Sequence, residues 1–130
     1  MKQKAMMPII YVAGPFRGPT AWAIAENVRA AEQVGYEVAR LGACPLIPHA
    51  NTANFHGTMT DQFWLDATMA LLRKADAVVL METWKSSKGA TAENAEAHRL
   101  SIPVFLARES CSWRDHVRDW IAAWKANQKE

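Results

Sequence analysis

Short apolar runs alternate with longer segments along the whole chain. The short runs are apolar on both faces, as buried parallel strands are, and they predict strands at residues 9–13, 44–48, 77–81 and 102–106. In the longer segments apolar residues recur every three or four positions, which predicts helices over residues 21–41, 61–74, 90–100 and 112–128. Residues 49–59 show no period, and we expect a polar binding loop there.

The order of these elements, βαβαβαβα, predicts an α/β fold of the Rossmann-like or flavodoxin-like type. Right-handed crossovers would place helices on both faces of a parallel sheet, in a three-layer sandwich. We expect the strand order 2-1-3-4, which makes the first and third strands neighbours. The topological switch point then lies between residues 14–18 and residues 82–89, so a ligand site is expected where these loops meet.

Length and charge narrow the functional classes. The chain has 130 residues, half of them apolar, and a net charge of +2. This indicates one globular domain over residues 1–130, with a flexible N-terminus at residues 1–8, and gives no sign of nucleic-acid binding. No apolar run approaches the roughly 18 residues of a membrane span. We therefore expect a cytoplasmic protein without a signal peptide or membrane partner.

Cysteine and histidine positions do not favour a metal site or a disulfide scaffold. Cys44 and Cys111 are far apart and outside any CxxC pattern. His49 and His56 are seven residues apart in the predicted loop, which matches no strong ligand spacing. We expect neither a metal ion nor another cofactor.

Glu93 is the first candidate for chemistry, because it lies near the start of the predicted helix 90–100. A carboxylate there is favoured by the helix dipole, so a purely structural role at the helix start explains Glu93 as well as a functional role does. The same dipole would keep the carboxylate ionised, as a nucleophile requires. Ala90, Ala92 and Ala95 are small and would leave room for a ligand.

The loop at residues 14–18 contains Gly14, Arg17 and Gly18 but matches neither GxGxxG nor a P-loop. A nucleoside triphosphatase is therefore not favoured. Open backbone N–H groups together with Arg17 would suit a single phosphate. A plain turn with a solvated arginine is an equally good interpretation.

Several other residues have a structural alternative beside the functional one. Ser86 and Ser87 are either helix caps, which is the commoner role, or phosphate ligands. Asp66 is more commonly a solvated helix residue than a catalytic one. Tyr11 lies near the end of a buried strand, where its hydroxyl needs a partner in either role. The apolar stripe of the last helix, which includes Trp113, Trp120 and Trp124, indicates core or a subunit interface.

Three segments, taken in order, resemble the nucleoside 2-deoxyribosyltransferase-like superfamily. They are residues 11–18 (YVAGPFRG), the Asp66 helix with the following residues 75–80 (ADAVVL), and residues 87–93 (SKGATAE). The superfamily includes deoxyribosyltransferases and nucleoside 5′-monophosphate N-glycosidases. The resemblance covers about residues 9–106, and the order and spacing of the segments carry it.

The resemblance implies a role for each matching residue. Glu93 takes the position of the nucleophile that attacks C1′ of the sugar and forms a glycosyl-enzyme ester. Asp66 matches the aspartate that contacts and helps protonate the base, and Tyr11 matches a tyrosine that positions the nucleophile. The residues expected to bind substrate are Gly14, Phe16, Arg17, Gly18, His49, Ser87 and Gly89.

Ser87 departs from the deoxyribosyltransferases, which tend to carry an aspartate six residues before the nucleophile. The monophosphate N-glycosidases resemble this chain in having serine there, with a Gly-x-x-Arg-Gly loop at the 5′-phosphate. Lys85 and Lys88 would add positive potential. We therefore expect hydrolysis of a nucleoside 5′-monophosphate. A base-exchanging nucleoside 2-deoxyribosyltransferase and a non-enzymatic nucleotide-binding module are the alternatives.

The resemblance also implies a homodimer or larger homo-oligomer. Members of the superfamily often complete the site with a residue of a neighbouring subunit, which follows the last strand. Ser110 and Ser112 are candidates for that residue, and the sequence does not choose between them.

Overall fold

The computed structural model of the protein describes residues 6–55, 57–110 and 112–128. These residues form one parallel sheet of four strands in the order β2-β1-β3-β4, together with five α-helices. The strands are β1 (Ile9–Ala13), β2 (Cys44–Leu46), β3 (Ala77–Met81) and β4 (Val104–Ala107). The helices are α1 (Ala21–Arg40), α2 (Pro48–Thr52), α3 (Asp61–Leu72), α4 (Lys88–Arg99) and α5 (Trp113–Asn127). The predicted α/β class and strand order are confirmed.

The sheet is sandwiched between two helical layers, and the alternation of side chains along β1 determines which layer each residue meets. Ile10 packs in a core cluster with residues of α1 and α5, including Val38 and Val117. Tyr11 packs in the opposite cluster, with residues of α3 and α4 such as Leu72 and Ala97. The strand therefore presents the Tyr11 side chain to the layer that contains α4.

The register of the sheet brings the loops after β1 and β3 to the same edge. Ala13 pairs with Leu80, and Met81 pairs with Ala107 on β4. Because all the strands run parallel, the chain leaves β1 and β3 side by side at their carboxyl ends. This is the switch point that the strand order predicts.

The segment expected to be an aperiodic loop instead begins with a single helical turn, α2, followed by a 3-10 turn at Ala53–Phe55. Pro48 occupies the first helical position, where its fixed φ suits the helix and its missing N–H costs nothing. The N–H groups of Ala50 and Asn51 both donate to the carbonyl of Ile47. A helix this short contains too few apolar positions to show a period.

Two large apolar residues of the helices are exposed. Trp22 on α1 and Phe63 on α3 are 75% and 43% exposed. Both lie in the first turn of their helix, whereas the fully buried residues come later, from Ala31 on α1 and at Leu72 on α3. Apolar spacing therefore extends into the first turns of both helices, although these turns lie at the margin of the packed layers.

The ends of the chain differ in how they join the fold. Pro8, within the segment expected to be flexible, is buried, and its carbonyl accepts a hydrogen bond from the N–H of Cys44. The apolar stripe of α5 lies in the core at Trp113, Val117 and Ile121. Among the described residues, no helix combines the length and the apolar character needed to cross a membrane.

Gly35 lies where α1 crosses the end of β2. A Cβ atom built at Gly35 would lie 2.3 Å from Cδ1 and 2.8 Å from Cγ1 of Ile47. The absence of a side chain therefore lets the helix approach the chain closely, although glycine weakens a helix by about 1 kcal/mol relative to alanine.

We expect Gly35→Ala to lower the free energy of unfolding by roughly 1–3 kcal/mol, because the new methyl group overpacks against Ile47. In an Ile47→Ala background the same change should instead be neutral or stabilising, since only the gain in helix propensity remains. Urea denaturation of the four proteins measures this coupling. Equal effects in the two backgrounds would contradict the packing explanation.

Candidate active site

A cavity of about 610 Å³ opens at the carboxyl ends of β1 and β3. Its walls come from the loop after β1, from α2, from residues 61–68 of α3 and from the start of α4. The volume lies within the range of roughly 300–1,000 Å³ that is common for small-molecule sites. The cavity is therefore at the predicted switch point and is large enough for a nucleotide-sized ligand.

Glu93 lines the cavity and is hydrogen-bonded from behind by Tyr11. The phenol Oη of Tyr11 donates to Oε2 of Glu93. Tyr11 is fully buried and Glu93 is only 5% exposed. The strand and the helix thus hold the carboxylate in one orientation, and the partner that the buried Tyr11 hydroxyl needed is the candidate nucleophile.

Burial raises the pKa of Glu93 from its ordinary value of 4.5 to about 7, although the hydrogen bond from Tyr11 lowers this pKa. The expectation that the helix dipole keeps Glu93 ionised is therefore corrected. Helix α4 begins at Lys88, so Glu93 is its sixth residue, and the dipole acts mainly within the first turn. Burial and then the charge of Glu93 raise the pKa of Tyr11, so its phenol stays protonated and donates.

His49 fixes the loop after β1 to α2. Its Nε2 lies 2.8 Å from the carbonyl oxygen of Gly14, and this nitrogen must donate because a carbonyl only accepts. Burial lowers the pKa of His49, which favours the neutral ring. Phe16 packs edge-on against the imidazole, with ring centroids 5.5 Å apart. A Cβ at Gly14 would lie 2.9 Å from Cβ of Met81, so only glycine fits this passage between β1 and β3.

Arg17 extends from the same loop and pairs with the first residue of α3. Its guanidinium nitrogens lie 2.8 and 2.7 Å from the two carboxylate oxygens of Asp61. The backbone of the loop is held separately, because Nδ2 of Asn27 donates to the carbonyls of Phe16 and Arg17, each at 3.1 Å. The arginine was predicted from the sequence, but neither its partner Asp61 nor the brace Asn27 was.

The start of α4 contributes a second polar wall. Ser87 caps the helix, since its Oγ accepts from the N–H of Ala90 at 3.1 Å, and it also lines the cavity. Ser86, Lys88 and Gly89 line the cavity beside it. The first N–H groups of a helix have no partners within the helix and attract anions. The capping role favoured by the sequence is observed, at a position that also faces a ligand.

Three predicted site residues do not line the cavity: Tyr11, which lies behind Glu93, and also Asp66 and Gly18. Asp66 is exposed, and its Oδ1 accepts from Nε2 of Gln62 at 2.8 Å. The residues of α3 that line the cavity include Leu65 and Thr68, and Asp66 is turned about 100° from Leu65 around the helix axis. Gly18 instead lies against Ala23 in the first turn of α1. The structure therefore does not bring the expected base-protonating aspartate to Glu93.

Four polar residues of α2 and α3 that were not predicted from the sequence also line the cavity, namely Thr52, Asp61, Gln62 and Thr68. Thr68 lies close enough to Tyr11 to affect its phenol, and its hydroxyl donates to the carbonyl of Leu65 at 2.9 Å. On α3 the signal was present, because the lining positions recur every three or four residues. This spacing was not recognised, because the apolar residues of α3 indicated a different face of the helix as the buried one.

The remaining expectations concern metals and subunits. Within residues 6–55, 57–110 and 112–128, no group of three or more histidine, cysteine or acidic side chains is arranged to hold a metal ion. His56 and Cys111 lie outside the described residues. Ser110 and Ser112 are exposed, and the homo-oligomer that would use one of them stays a prediction.

Residues 8–106 match a family model that is described as a domain of unknown function, DUF4406. The chain belongs to the DUF4406 family. No curated protein matches the chain. The DUF4406 segment contains Tyr11, the loop after β1, the start of α4 and Glu93, whereas α5 follows it.

The raised pKa of Glu93 makes the stability of this DUF4406 protein depend on pH. The folded state binds the proton of Glu93 more tightly than the unfolded chain does. The protonated Glu93 therefore makes its full contribution to the free energy of unfolding below pH 4.5, and this contribution is lost as the pH rises through about 7. In the wild type this loss amounts to up to about 3 kcal/mol of the free energy of unfolding between pH 4.5 and pH 8. We expect Glu93→Gln to remove it, because glutamine does not titrate.

Urea denaturation at the two pH values measures the difference. Glu32→Gln, at an exposed position on α1, is the matched control and should keep the wild-type dependence. If the Glu93→Gln protein retained the full dependence, another group would be responsible.

Proposed function

We propose that this DUF4406 protein is a cytoplasmic N-glycosidase that hydrolyses a (deoxy)nucleoside 5′-monophosphate to a free base and a sugar 5-phosphate. The observation that carries the proposal is the buried pair of Tyr11 and Glu93, which faces a cavity with an anion-attracting helix start at its wall. A carboxylate oriented by a phenol is suited to attack on a sugar carbon.

The reaction proceeds in two steps. The ionised carboxylate of Glu93 attacks C1′, the bond between C1′ and the base nitrogen breaks, and the base leaves with the bonding electrons and takes a proton from water. Water then attacks C1′ and loses a proton, which neutralises the hydroxide left by the first step, while the ester bond breaks and the Glu93 carboxylate is released with net retention. Because Asp66 lies outside the cavity, the proton for the base comes from solvent at the cavity mouth.

Positive charge supports the phosphate in this proposal. Arg17 and Lys88 both line the cavity, together with the first turn of α4. Ser87 presents a hydroxyl in place of the aspartate expected in a deoxyribosyltransferase, so no carboxylate at that position repels a phosphate. Lys85 lies over the ring of Trp84, 5.8 Å from its centroid, and does not line the cavity.

A nucleotide-binding module without turnover is the second candidate. The exposed position of Asp66 favours it, because the cavity then lacks the acid that the resemblance assigns to the base. Ligand binding that is equally strong in the wild type and in Glu93→Gln, without any release of base, would support this candidate.

We expect the protein to release free base from at least one nucleoside 5′-monophosphate in a chromatographic screen of common and modified bases. Glu93→Gln should slow the release roughly 1,000-fold or more, since it removes the nucleophile. The wild-type rate should rise as the pH passes through about 7, where Glu93 ionises. Glu32→Gln should behave as the wild type, and a folded protein that releases no base from any nucleotide would refute the proposal.

A substitution at Ser87 separates phosphorylated from unphosphorylated substrates. Aspartate and asparagine both cap helices as well as serine does, so the start of α4 is preserved in either variant. We expect Ser87→Asp to slow turnover of a monophosphate about ten-fold or more relative to Ser87→Asn, because only the aspartate repels the phosphate. Turnover of the matching nucleoside should differ much less between the two. An equal effect on both substrates would place the phosphate elsewhere.

A further inference from the structure

The ion pair between Arg17 and Asp61 joins the loop after β1 to the first residue of α3 at the wall of the cavity. Both residues line the cavity, and the pair is bidentate. We propose that Asp61 is a specificity-determining residue, whose carboxylate holds the guanidinium that the phosphate of an incoming ligand must take over. The inference rests on the proposed function, because it takes a phosphate monoester as the anionic group of the ligand.

The carboxylate and a phosphate compete for the same face of Arg17. A guanidinium presents a planar fork of N–H groups, and both carboxylates and phosphates bind this fork through two oxygens. In the pair with Asp61 two nitrogens of the fork are already engaged, at 2.8 and 2.7 Å. A bidentate phosphate would therefore displace Asp61 from the fork.

The pair is weak enough to be exchanged. The side chains of Arg17 and Asp61 are 58% and 74% exposed, so water competes for both. Ion pairs this exposed contribute a factor of about five or less to an equilibrium constant. A phosphate, which carries up to two negative charges and is also attracted by the start of α4, outcompetes a single carboxylate.

The exchange leaves neither partner in an unfavourable state. Asp61 is the first residue of α3, where the helix dipole favours a negative charge, and it is well solvated. The helix start does not depend on Arg17, because Oγ1 of Thr60 accepts from the N–H of Phe63 at 3.1 Å. The backbone of Arg17 stays hydrogen-bonded to Asn27, so only the arginine side chain must turn.

The competition from Asp61 therefore lowers the binding affinity of phosphorylated ligands alone. A nucleoside without a phosphate leaves the pair intact, whereas a monophosphate must first release Arg17 from Asp61. Asp61→Asn removes the competing charge and keeps the size of the side chain. It should therefore increase the affinity for phosphate and leave the affinity for uncharged nucleosides unchanged.

The test uses inorganic phosphate as the probe and NMR shifts of the backbone amides of residues 86–89 as the readout. We expect Asp61→Asn to bind phosphate about two- to five-fold more tightly than the wild type. In an Arg17→Gln background Asp61→Asn should bring no such gain. Asp115→Asn is the matched control, since Asp115 forms a comparably exposed pair with Arg118 on α5. It should leave phosphate affinity unchanged.

The outcomes separate this inference from the proposed function. If the wild type binds phosphate and Asp61→Asn binds it equally or more weakly, the role of Asp61 is refuted and the phosphate site stands. If Asp61→Asn increases phosphate affinity by the same factor in the Arg17→Gln background, the proposed displacement of Asp61 from Arg17 is also refuted. If phosphate binds to neither protein, the inference and the phosphate part of the proposed function both fail, and release of base from nucleosides then decides the glycosidase activity.

Discussion

The hydrogen bond between Tyr11 and Glu93 is the constraint on which the site depends, because it joins the central strand to the helix that bears the carboxylate. Strand alternation points the phenol at α4, and the start of α4 at Lys88 sets the turn on which Glu93 faces it. Both groups are buried, so each would be costly without the other. The hydrogen bond from Tyr11 thus offsets part of the cost of burying the Glu93 carboxylate, at a position that lines the cavity.

Charge around the cavity is arranged in two zones of different solvation. Near the solvent, Arg17 and Asp61 form a hydrated pair that contributes little and can rearrange. At the buried end, Glu93 sits in low dielectric, where burial decides its protonation. A ligand that spans the cavity would therefore meet a solvated ion pair at one end and a buried carboxyl group, held by Tyr11, at the other.

The sequence predicted the sheet well, because buried parallel strands are short apolar runs and strand order follows from the alternation with helices. It also predicted that the loop with Arg17 and the start of α4 would be neighbours, since both follow adjacent strands. It failed where tertiary packing decides the outcome. The single turn at Pro48 has too few residues for a period. Whether Asp66 faces the cavity depends on the rotation of α3 about its axis. The apolar residues Phe63 and Trp64 did not indicate that rotation correctly. The raised pKa of Glu93 follows from burial, which spacing does not reveal.

Helix α3 supplies a wall of the cavity, yet Leu72 is the residue of this helix that is buried most completely. Its cavity-facing positions lie in the first two turns, away from that contact. Changes at Asp61 and Gln62, both exposed, therefore have little effect on the core or on Glu93, whereas Thr68 lies beside the phenol of Tyr11. The exposed start of α3 is therefore a part of the cavity wall where substitutions can alter which ligands fit, without a change to the hydrogen bond between Tyr11 and Glu93.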